Sequence, residues 1–263
     1  MKSGLIIYNR IDAKKNDWFI NRCLELLNDS GTSLTFLNED QVFDYLNDHT
    51  IDFVIYRGRD YRLLEAIEER GIKVFNNSLT NKTANDKYLA SQLFDELDSP
   101  HLATYLDKSK CSQYPFVMKS VSGHGGSEVF LIANPEDEEA VLRQYPHQRF
   151  VYQDFMPNLG DVRVYVLDQQ VVGAVKRNNK CDFRSNYSLG GEVSLYKPSQ
   201  EMIENALKIT KTLSATYVGI DFLLTKDGFL VNEIEDPVGS RMLYQTSDID
   251  IISLFCQIVK RKI

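Results

Sequence analysis

The chain has 263 residues, of which 43% are hydrophobic, so it can bury one large core or two small ones. Its 37 acidic residues outnumber its 30 basic residues, which argues against a dominant nucleic-acid or anionic-membrane surface. The cysteines form no CxxC pair, the histidines are scattered, and no apolar run approaches the roughly 20 residues that cross a bilayer. The composition therefore predicts a cytoplasmic protein without a membrane or nucleic-acid partner, and it leaves a homo-oligomer open.

The first 80 residues alternate between strand and helix patterns. Short apolar strands are predicted in GLIIYN, SLTFLN, IDFVIYRG and IKVFNN, and two of the helical segments between them end at Gly31 and Gly71. Strands separated by helices at this spacing form βαβ units with a parallel sheet. We therefore predict a three-layer α/β domain over residues 1–80. It lacks a GxGxxG fingerprint, so no dinucleotide is assigned to it.

The pattern changes after residue 80. One helix is predicted over NKTANDKYLASQLFDELDSP, ending at Pro100. The segment YPFVMKSVSGHGGSEVFLI then predicts two strands around a glycine loop, and a hairpin turn is predicted near Asp168 and Gln169. A second hairpin, GIDFLLTKDGFLVNEIED, lies between two helices. Antiparallel strands with helices on one side indicate an α+β fold for this part of the chain.

The second hairpin carries three carboxylates in apolar strands. Asp221 and Glu233 are equidistant from Asp227, so a simple hairpin places them opposite each other, with Glu235 on the face of Glu233. The other side chains predicted on this face are apolar: Leu223, Phe229 and Val231. Buried like charges need a positive partner, and Mg²⁺ with its oxygen ligands is one candidate. A solvated hairpin face and neutralisation by Lys or Arg are the alternatives.

A glycine loop and two lysines add a second candidate site. The loop SGHGGS, residues 122–127, can offer backbone N–H groups to phosphates, although it lacks the P-loop pattern and an ordinary hairpin turn is the alternative. Lys119 ends the strand just before this loop, which suggests contact with a phosphate. Lys87, in the segment NDKYLAS, is a similar candidate, with a solvated helix lysine as its alternative.

In this order, the features resemble the ATP-grasp ligases, and among them the RimK-like carboxylate–amine ligases, over roughly residues 80–258. The densest portion is QDFMPNLGDVRVYVLDQQVVGAVKRNNKCDFRSNYSLGG, and Asp86-Lys87, Lys119 and GIDFLL…LVNEIE follow the family's order and spacing. The resemblance implies an α/β parallel-sheet N-terminal domain followed by an α+β ATP-grasp fold over residues 81–263. Within it, two antiparallel-sheet subdomains, residues 81–155 and 156–263, would clamp ATP.

The resemblance also implies site residues. ATP would be bound by residues from several elements: Lys87, Lys119, Gly125, Gly126, Gln153, Asp154, Phe155, Met156, Asp161 and Ser185. The catalytic groups would be Arg177, Arg184 and Asn186, with Arg163 as further positive charge. Asp221, Glu233 and Glu235 would bind Mg²⁺, two ions being implied and Mn²⁺ being an alternative.

The implied function is ATP-dependent ligation of a carboxylate to an amine through an acyl phosphate, with release of ADP and phosphate. The substrates would be small molecules or peptides. A small-molecule kinase on the same scaffold and a nucleotide-binding regulatory protein without ligase activity are the alternatives.

Two departures from the family pattern are evident. The family usually has Glu-x-Asn where this chain has Glu233-Ile234-Glu235, which adds a negative charge and bears on how many metal ions bind. The following DPVGSRMLYQ also differs from the small, Ser/Pro/Gly-rich loop of the family. Arg241 in this segment would either bind an acidic substrate or neutralise Glu235.

Overall fold

The computed structural model describes residues 1–29, 31–111, 113–126, 128–178 and 192–263. Its strands are β1 (Ser3–Tyr8), β2 (Ser33–Asn38), β3 (Phe53–Tyr56), β4 (Lys73–Phe75), β5 (Phe116–Ser120), β6 (Val129–Ile132), β7 (Phe150–Asp154), β8 (Asp161–Leu167), β9 (Gln170–Asn178), β10 (Glu192–Leu195), β11 (Tyr217–Thr225) and β12 (Gly228–Glu235). Its α-helices are α1 (Arg10–Lys15), α2 (Asp17–Asn28), α3 (Val42–Asp48), α4 (Tyr61–Glu68), α5 (Ser78–Ala84), α6 (Lys87–Glu96), α7 (Pro135–Gln144), α8 (Gln200–Leu213), α9 (Arg241–Thr246) and α10 (Ile251–Lys262). No helix in these ranges is long and apolar enough to span a membrane.

The N-terminal strands form a parallel sheet in the order β2-β1-β3-β4. Alternate residues of β1 pack on opposite sides: Ile6 lies in the hydrophobic cluster that includes α2, and Ile7 lies in the cluster that includes α3 and α4. Both faces are therefore covered by helices, as a parallel sheet requires. The predicted parallel α/β arrangement is confirmed.

The remaining strands form two antiparallel sheets, with the orders β6-β5-β7 and β10-β9-β8-β11-β12. The turn between β8 and β9 consists of Asp168 and Gln169, whose φ angles are +48° and +64°. Two successive residues with positive φ are typical of the two-residue turns that match the twist of a hairpin. The predicted antiparallel fold and the position of this turn are both confirmed.

The prediction of a single helix that ends at Pro100 was wrong. The structure has two helices there, α5 and α6, with a break at Asn85 and Asp86. The Asp86 carboxylate accepts hydrogen bonds from the backbone N–H groups of Tyr88 and Leu89, which is an N-cap for a new helix. Helix α6 therefore begins at Lys87, a candidate ligand-binding lysine.

The C-terminal helix α10 packs against the N-terminal part of the molecule. Its residues Phe255 and Cys256 lie in the same buried cluster as Phe19 and Cys23 of α2. The ring of Phe255 also lies 5.3 Å from the ring of Tyr217, at the start of β11. One core therefore links the parallel sheet to the large antiparallel sheet.

We expect Phe255→Ala to lower the free energy of unfolding by about 3–5 kcal/mol, because it removes a fully buried ring from this shared core. Urea denaturation followed by circular dichroism measures the change. Leu254→Ala is the control, since Leu254 is 38% exposed and its truncation is expected to cost under about 1 kcal/mol. Two separate unfolding transitions, with only one shifted by Phe255→Ala, would contradict a shared core.

Candidate active site

A cleft lies between the two antiparallel sheets, with walls from β5, the loop after β5, β7 and the β11–β12 hairpin. Most of the site residues predicted from the sequence line it: Lys87, Lys119, Gly125, Gly126, Gln153, Asp154, Phe155, Met156, Asp161, Asp221, Glu233 and Glu235. Arg177 lines an adjoining cavity instead. The predicted residues Arg184, Ser185 and Asn186 lie outside the described residues.

The β11–β12 hairpin brings the three carboxylates together, although its register differs from the simple prediction. The turn comprises residues 226–227, which is tighter than expected and would by itself leave Asp221 opposite Asn232. A register shift between Asp221 and Phe222 instead places Asp221 opposite Glu233. The predicted pairing of these two carboxylates is confirmed, but a β-bulge produces it.

The bulge also changes which side chains share a face of the sheet. Asn232 and Glu233, although consecutive, both line the cleft. Val231 and Ile234 are buried in the hydrophobic cluster on the other face, and Phe229 packs against that cluster. The prediction that Val231 and Phe229 share the carboxylate face was therefore wrong, because strict alternation of side chains is interrupted at a bulge. Sequence reasoning also missed Asn232 as a residue of the cleft.

Two arginines neutralise the buried Asp221. Its carboxylate accepts two hydrogen bonds of 2.7 Å from the Arg163 guanidinium and one of 2.6 Å from Arg177. Arg177 also donates two hydrogen bonds of 2.6 Å to Asp161. Burial would raise the pKa of Asp221, but the two guanidinium groups outweigh it and hold the pKa at about 2. Asp221 is therefore ionised, and Asp161 lies in this ion-pair network as well as in the wall of the cleft.

Arg163 also neutralises Glu235, which carries a negative charge where the family pattern has Asn. The Nη2 nitrogen of the Arg163 guanidinium lies 2.7 Å from a carboxylate oxygen of Glu235. Arg241 instead donates a hydrogen bond to the backbone carbonyl of Lys15 and lines the adjoining cavity. Of the two roles considered for Arg241, neutralisation of Glu235 is therefore performed by Arg163 instead.

The carboxylate cluster is suited to a hard divalent cation. One oxygen from each of Asp221, Glu233 and Glu235 lies within 4.8 Å of the others. Glu233 is the least committed of the three, because its ion-pair contact in the described structure is Lys87 at 4.0 Å. Carboxylate oxygens, together with waters and phosphate oxygens, are the ligands that Mg²⁺ prefers. The donor set therefore fits Mg²⁺ or Mn²⁺, with Glu233 as the carboxylate least engaged by cations of the protein.

Both candidate lysines point into the cleft. Lys119 is 8% exposed, and its ammonium group lies 3.1 Å from the side-chain oxygen of Asn232. Burial lowers the pKa of Lys119, and the negative charge of Glu233 partly offsets that effect. The Lys87 ammonium donates to the backbone carbonyl of Gly123, and its backbone N–H donates to Val121. These two hydrogen bonds attach the start of α6 to the glycine loop. Lys87 and Lys119 together place two positive charges beside the carboxylate cluster.

Residues 153–156 line a further part of the cleft. Gln153 is buried, and its side-chain amide donates a 2.8 Å hydrogen bond to Thr104. The amide oxygen of Gln153 is also buried and has no hydrogen-bond partner among the described residues. A buried acceptor without a donor is costly unless a ligand supplies one. This end of the cleft is therefore suited to a ligand that carries N–H groups.

A second cavity, of about 290 Å³, adjoins the cleft and shares His124, Gly125 and Glu235 with it. Its described lining is strongly basic, with six cationic side chains: Lys15, Arg57, Arg59, Arg163, Arg177 and Arg241. The two carboxylates among these described lining residues, Asp12 and Glu235, are already paired, with Arg59 and Arg163 respectively. Sequence reasoning missed the N-terminal arginines and His124, because only the tertiary structure brings them to the β11–β12 hairpin.

Two related proteins are similar in sequence to this chain over most of its length. It is 30% identical over 252 residues to an uncharacterized protein of Mycoplasma pneumoniae, covering 92% of this chain and 86% of that protein. It is 27% identical over 202 residues to a probable alpha-L-glutamate ligase of Haemophilus influenzae, covering 72% of this chain and 67% of that ligase.

The fold is also similar to that of a solved ATP-grasp ligase. The ligase PsnB, in complex with a phosphomimetic variant of its minimal precursor, Mg and ADP, superposes with a TM-score of 0.71. The two chains are 16% identical, and the match covers 99% of this chain and 98% of PsnB. At residues 91–259, which are more than half of the chain, the sequence matches the family model for the RimK-like ATP-grasp domain. The protein therefore belongs to the RimK-like family of ATP-grasp ligases.

Proposed function

We propose that the protein is an ATP-dependent carboxylate–amine ligase that forms an amide bond through an acyl phosphate. One observation carries this proposal: the cleft with its lysines and carboxylates is continuous with a basic cavity through His124, Gly125 and Glu235. A nucleotide phosphate in the cleft would face a substrate in the cavity, as transfer between the two requires.

Each wall of the cleft has a role in holding ATP. Lys87 and Lys119 bind phosphate oxygens, and Gly125 and Gly126, whose φ angles are +68° and +76°, allow the loop to close over them. Residues 153–156 bind the adenine, and Asp161 lies near the ribose. Asp221, Glu233 and Glu235 hold Mg²⁺ or Mn²⁺, which supplies positive charge against the transferred phosphoryl group.

The reaction then needs no covalent nucleophile from the protein. An oxygen of the substrate carboxylate attacks the γ-phosphorus of ATP, and the bond to the bridging oxygen breaks, leaving ADP and an acyl phosphate. The amine nitrogen attacks the acyl carbon, and phosphate leaves. Lys119 and Arg177 stabilise the negative charge of these groups, and the glycine loop excludes water that would hydrolyse the intermediate.

The basic cavity supports an acidic substrate. Three of its cations, Lys15, Arg57 and Arg241, have no carboxylate partner within 4 Å in the described part of the chain. The relative named as a probable alpha-L-glutamate ligase supports glutamate as one such substrate. We therefore propose an amino acid or short peptide with at least one free carboxylate as the ligand of this cavity.

The experiment is ADP release with Mg²⁺–ATP and pooled acidic and neutral amino acids and dipeptides, with the products identified by mass spectrometry. A product mass equal to two substrates less one water supports the ligase. We expect Arg241→Met to raise the KM of the acidic substrate by about 10- to 100-fold, since one charge-assisted hydrogen bond contributes roughly 1.5–3 kcal/mol.

Arg62→Met is the matched control, because Arg62 lines neither the cleft nor the second cavity. An unchanged KM in Arg241→Met would contradict the assignment of Arg241. ADP release with only a phosphorylated product would identify a kinase. Tight ATP binding without turnover on any pool would favour the regulatory protein.

A further inference from the structure

His124 lies at the junction between the cleft and the second cavity. It is the third residue of the glycine loop 122–127, and it lines both the cleft and the second cavity. Among the described residues, the only ionisable side chains that line both are His124 and Glu235. A group that acts on both the phosphorylated carbonyl and the incoming amine has to lie at this junction.

The proposed reaction requires a base at that position. An amine substrate arrives mainly as an ammonium ion at neutral pH, and its nitrogen has no lone pair until one proton is removed. We propose that the imidazole of His124 removes this proton and so activates the amine for attack on the acyl phosphate. This assignment rests on the proposed ligase function.

The proton balance is complete with groups already named. The imidazole takes one proton from the ammonium nitrogen and becomes imidazolium. The freed lone pair forms the bond to the acyl carbon, the carbon–oxygen bond to phosphate breaks, and the departing phosphate carries away the second proton. The imidazolium then returns its proton to solvent through the open cavity.

The other ionisable groups near the junction are unsuited to this role. Glu235 is ion-paired with Arg163 at 2.7 Å and belongs to the carboxylate cluster that fits a metal. Lys87 and Lys119 line the cleft but not the second cavity, and their positive charge is needed against phosphate. In the second cavity, Asp12 is ion-paired with Arg59 at 2.7 Å, and burial raises the pKa of the Tyr8 phenol.

The surroundings of His124 favour the neutral imidazole. Within the described part of the chain, the charged groups that act on it include Arg59 after β3, Asp12 of α1, Glu235 of β12 and Lys87 of α6. Burial and then Arg59 lower the pKa of His124 from 6.5, and the two carboxylates only partly oppose them. A histidine with a lowered pKa can accept a proton at neutral pH and stops doing so as the pH falls through that pKa.

The experiment compares two nucleophiles with His124→Gln. Hydroxylamine is largely unprotonated at neutral pH and traps an acyl phosphate as a hydroxamate without a base. We expect His124→Gln to lower the rate of amide formation by about 100-fold or more, and hydroxamate formation by only about 3-fold or less.

His147→Gln is the control, because His147 is exposed and lines neither space; both rates should be unchanged. Equal losses with both nucleophiles would overturn the assignment, since they would place His124 in phosphoryl transfer or loop closure. No loss with either nucleophile would overturn it as well. If the wild type forms neither hydroxamate nor amide, the ligase function itself fails, and the role of His124 fails with it.

Discussion

Glu233→Gln is expected to lower kcat/KM for ADP release by on the order of 100- to 1000-fold. Glu233 is the carboxylate of the cluster with the weakest ion pairing to the protein, at 4.0 Å from Lys87, so it is the ligand most available to a cation. Glutamine keeps the size of the side chain but removes the negative charge that balances the metal. The same substitution also removes a negative charge that faces Lys119.

Steady-state ADP release measures this effect, and titration with Mn²⁺ followed by electron paramagnetic resonance measures the metal affinity separately. Asp227→Asn is the matched control, because Asp227 lies in the exposed turn of the same hairpin. Its activity and Mn²⁺ affinity should equal those of the wild type. If Glu233→Gln bound Mn²⁺ as tightly as the wild type and kept its activity, the metal site would have to lie elsewhere.

Arg177→Met is expected to lower the free energy of unfolding by about 3–5 kcal/mol. Arg177 is 3% exposed and donates hydrogen bonds to both Asp161 and Asp221, which are themselves buried. Methionine fills part of the space but leaves Asp161 without its charge partner in the described structure. Removing one member of a buried ion-pair network costs far more than removing a surface charge, because the remaining charge cannot be solvated.

Urea denaturation with and without Mg²⁺–ATP measures this second effect. Arg143→Met is the control, since Arg143 pairs with Glu139 on an exposed helix face and should change stability by about 0.5 kcal/mol or less. We expect Mg²⁺–ATP to stabilise the wild type more than Arg177→Met, because Arg177 helps to position the carboxylate cluster. A loss of stability as small as that of the control would show that the network contributes little to folding.

The comparison of sequence and structure is clearest at the β11–β12 hairpin. Residue types predicted three carboxylates at one site, and they lie together. The pattern could not reveal the bulge, because an inserted residue in a strand leaves the local sequence as strand-like as before. As a result the apolar face was assigned wrongly at Val231, and Asn232 was missed as the partner of Lys119.

The break between α5 and α6 shows the same limit in a helix. The segment 81–100 was predicted as one helix that ends at Pro100. Asp86 ends it because its side chain caps a new helix, and local propensity does not distinguish that role from an ordinary helical aspartate. Lys87, which was predicted to bind phosphate, nevertheless lines the cleft.

By itself, the sequence determined most of the order of strands and helices and the parallel and antiparallel parts, because hydrophobic periodicity is a local property. The resemblance of its ordered motifs to the RimK-like ligases indicated the family and most of the residues that line the cleft. Only the tertiary structure decided that Arg163, rather than Arg241, neutralises Glu235, and that Arg57, Arg59 and His124 join the same site. Such contacts join residues far apart in the chain, and their partners depend on how the sheets and helices pack together, which no local pattern encodes.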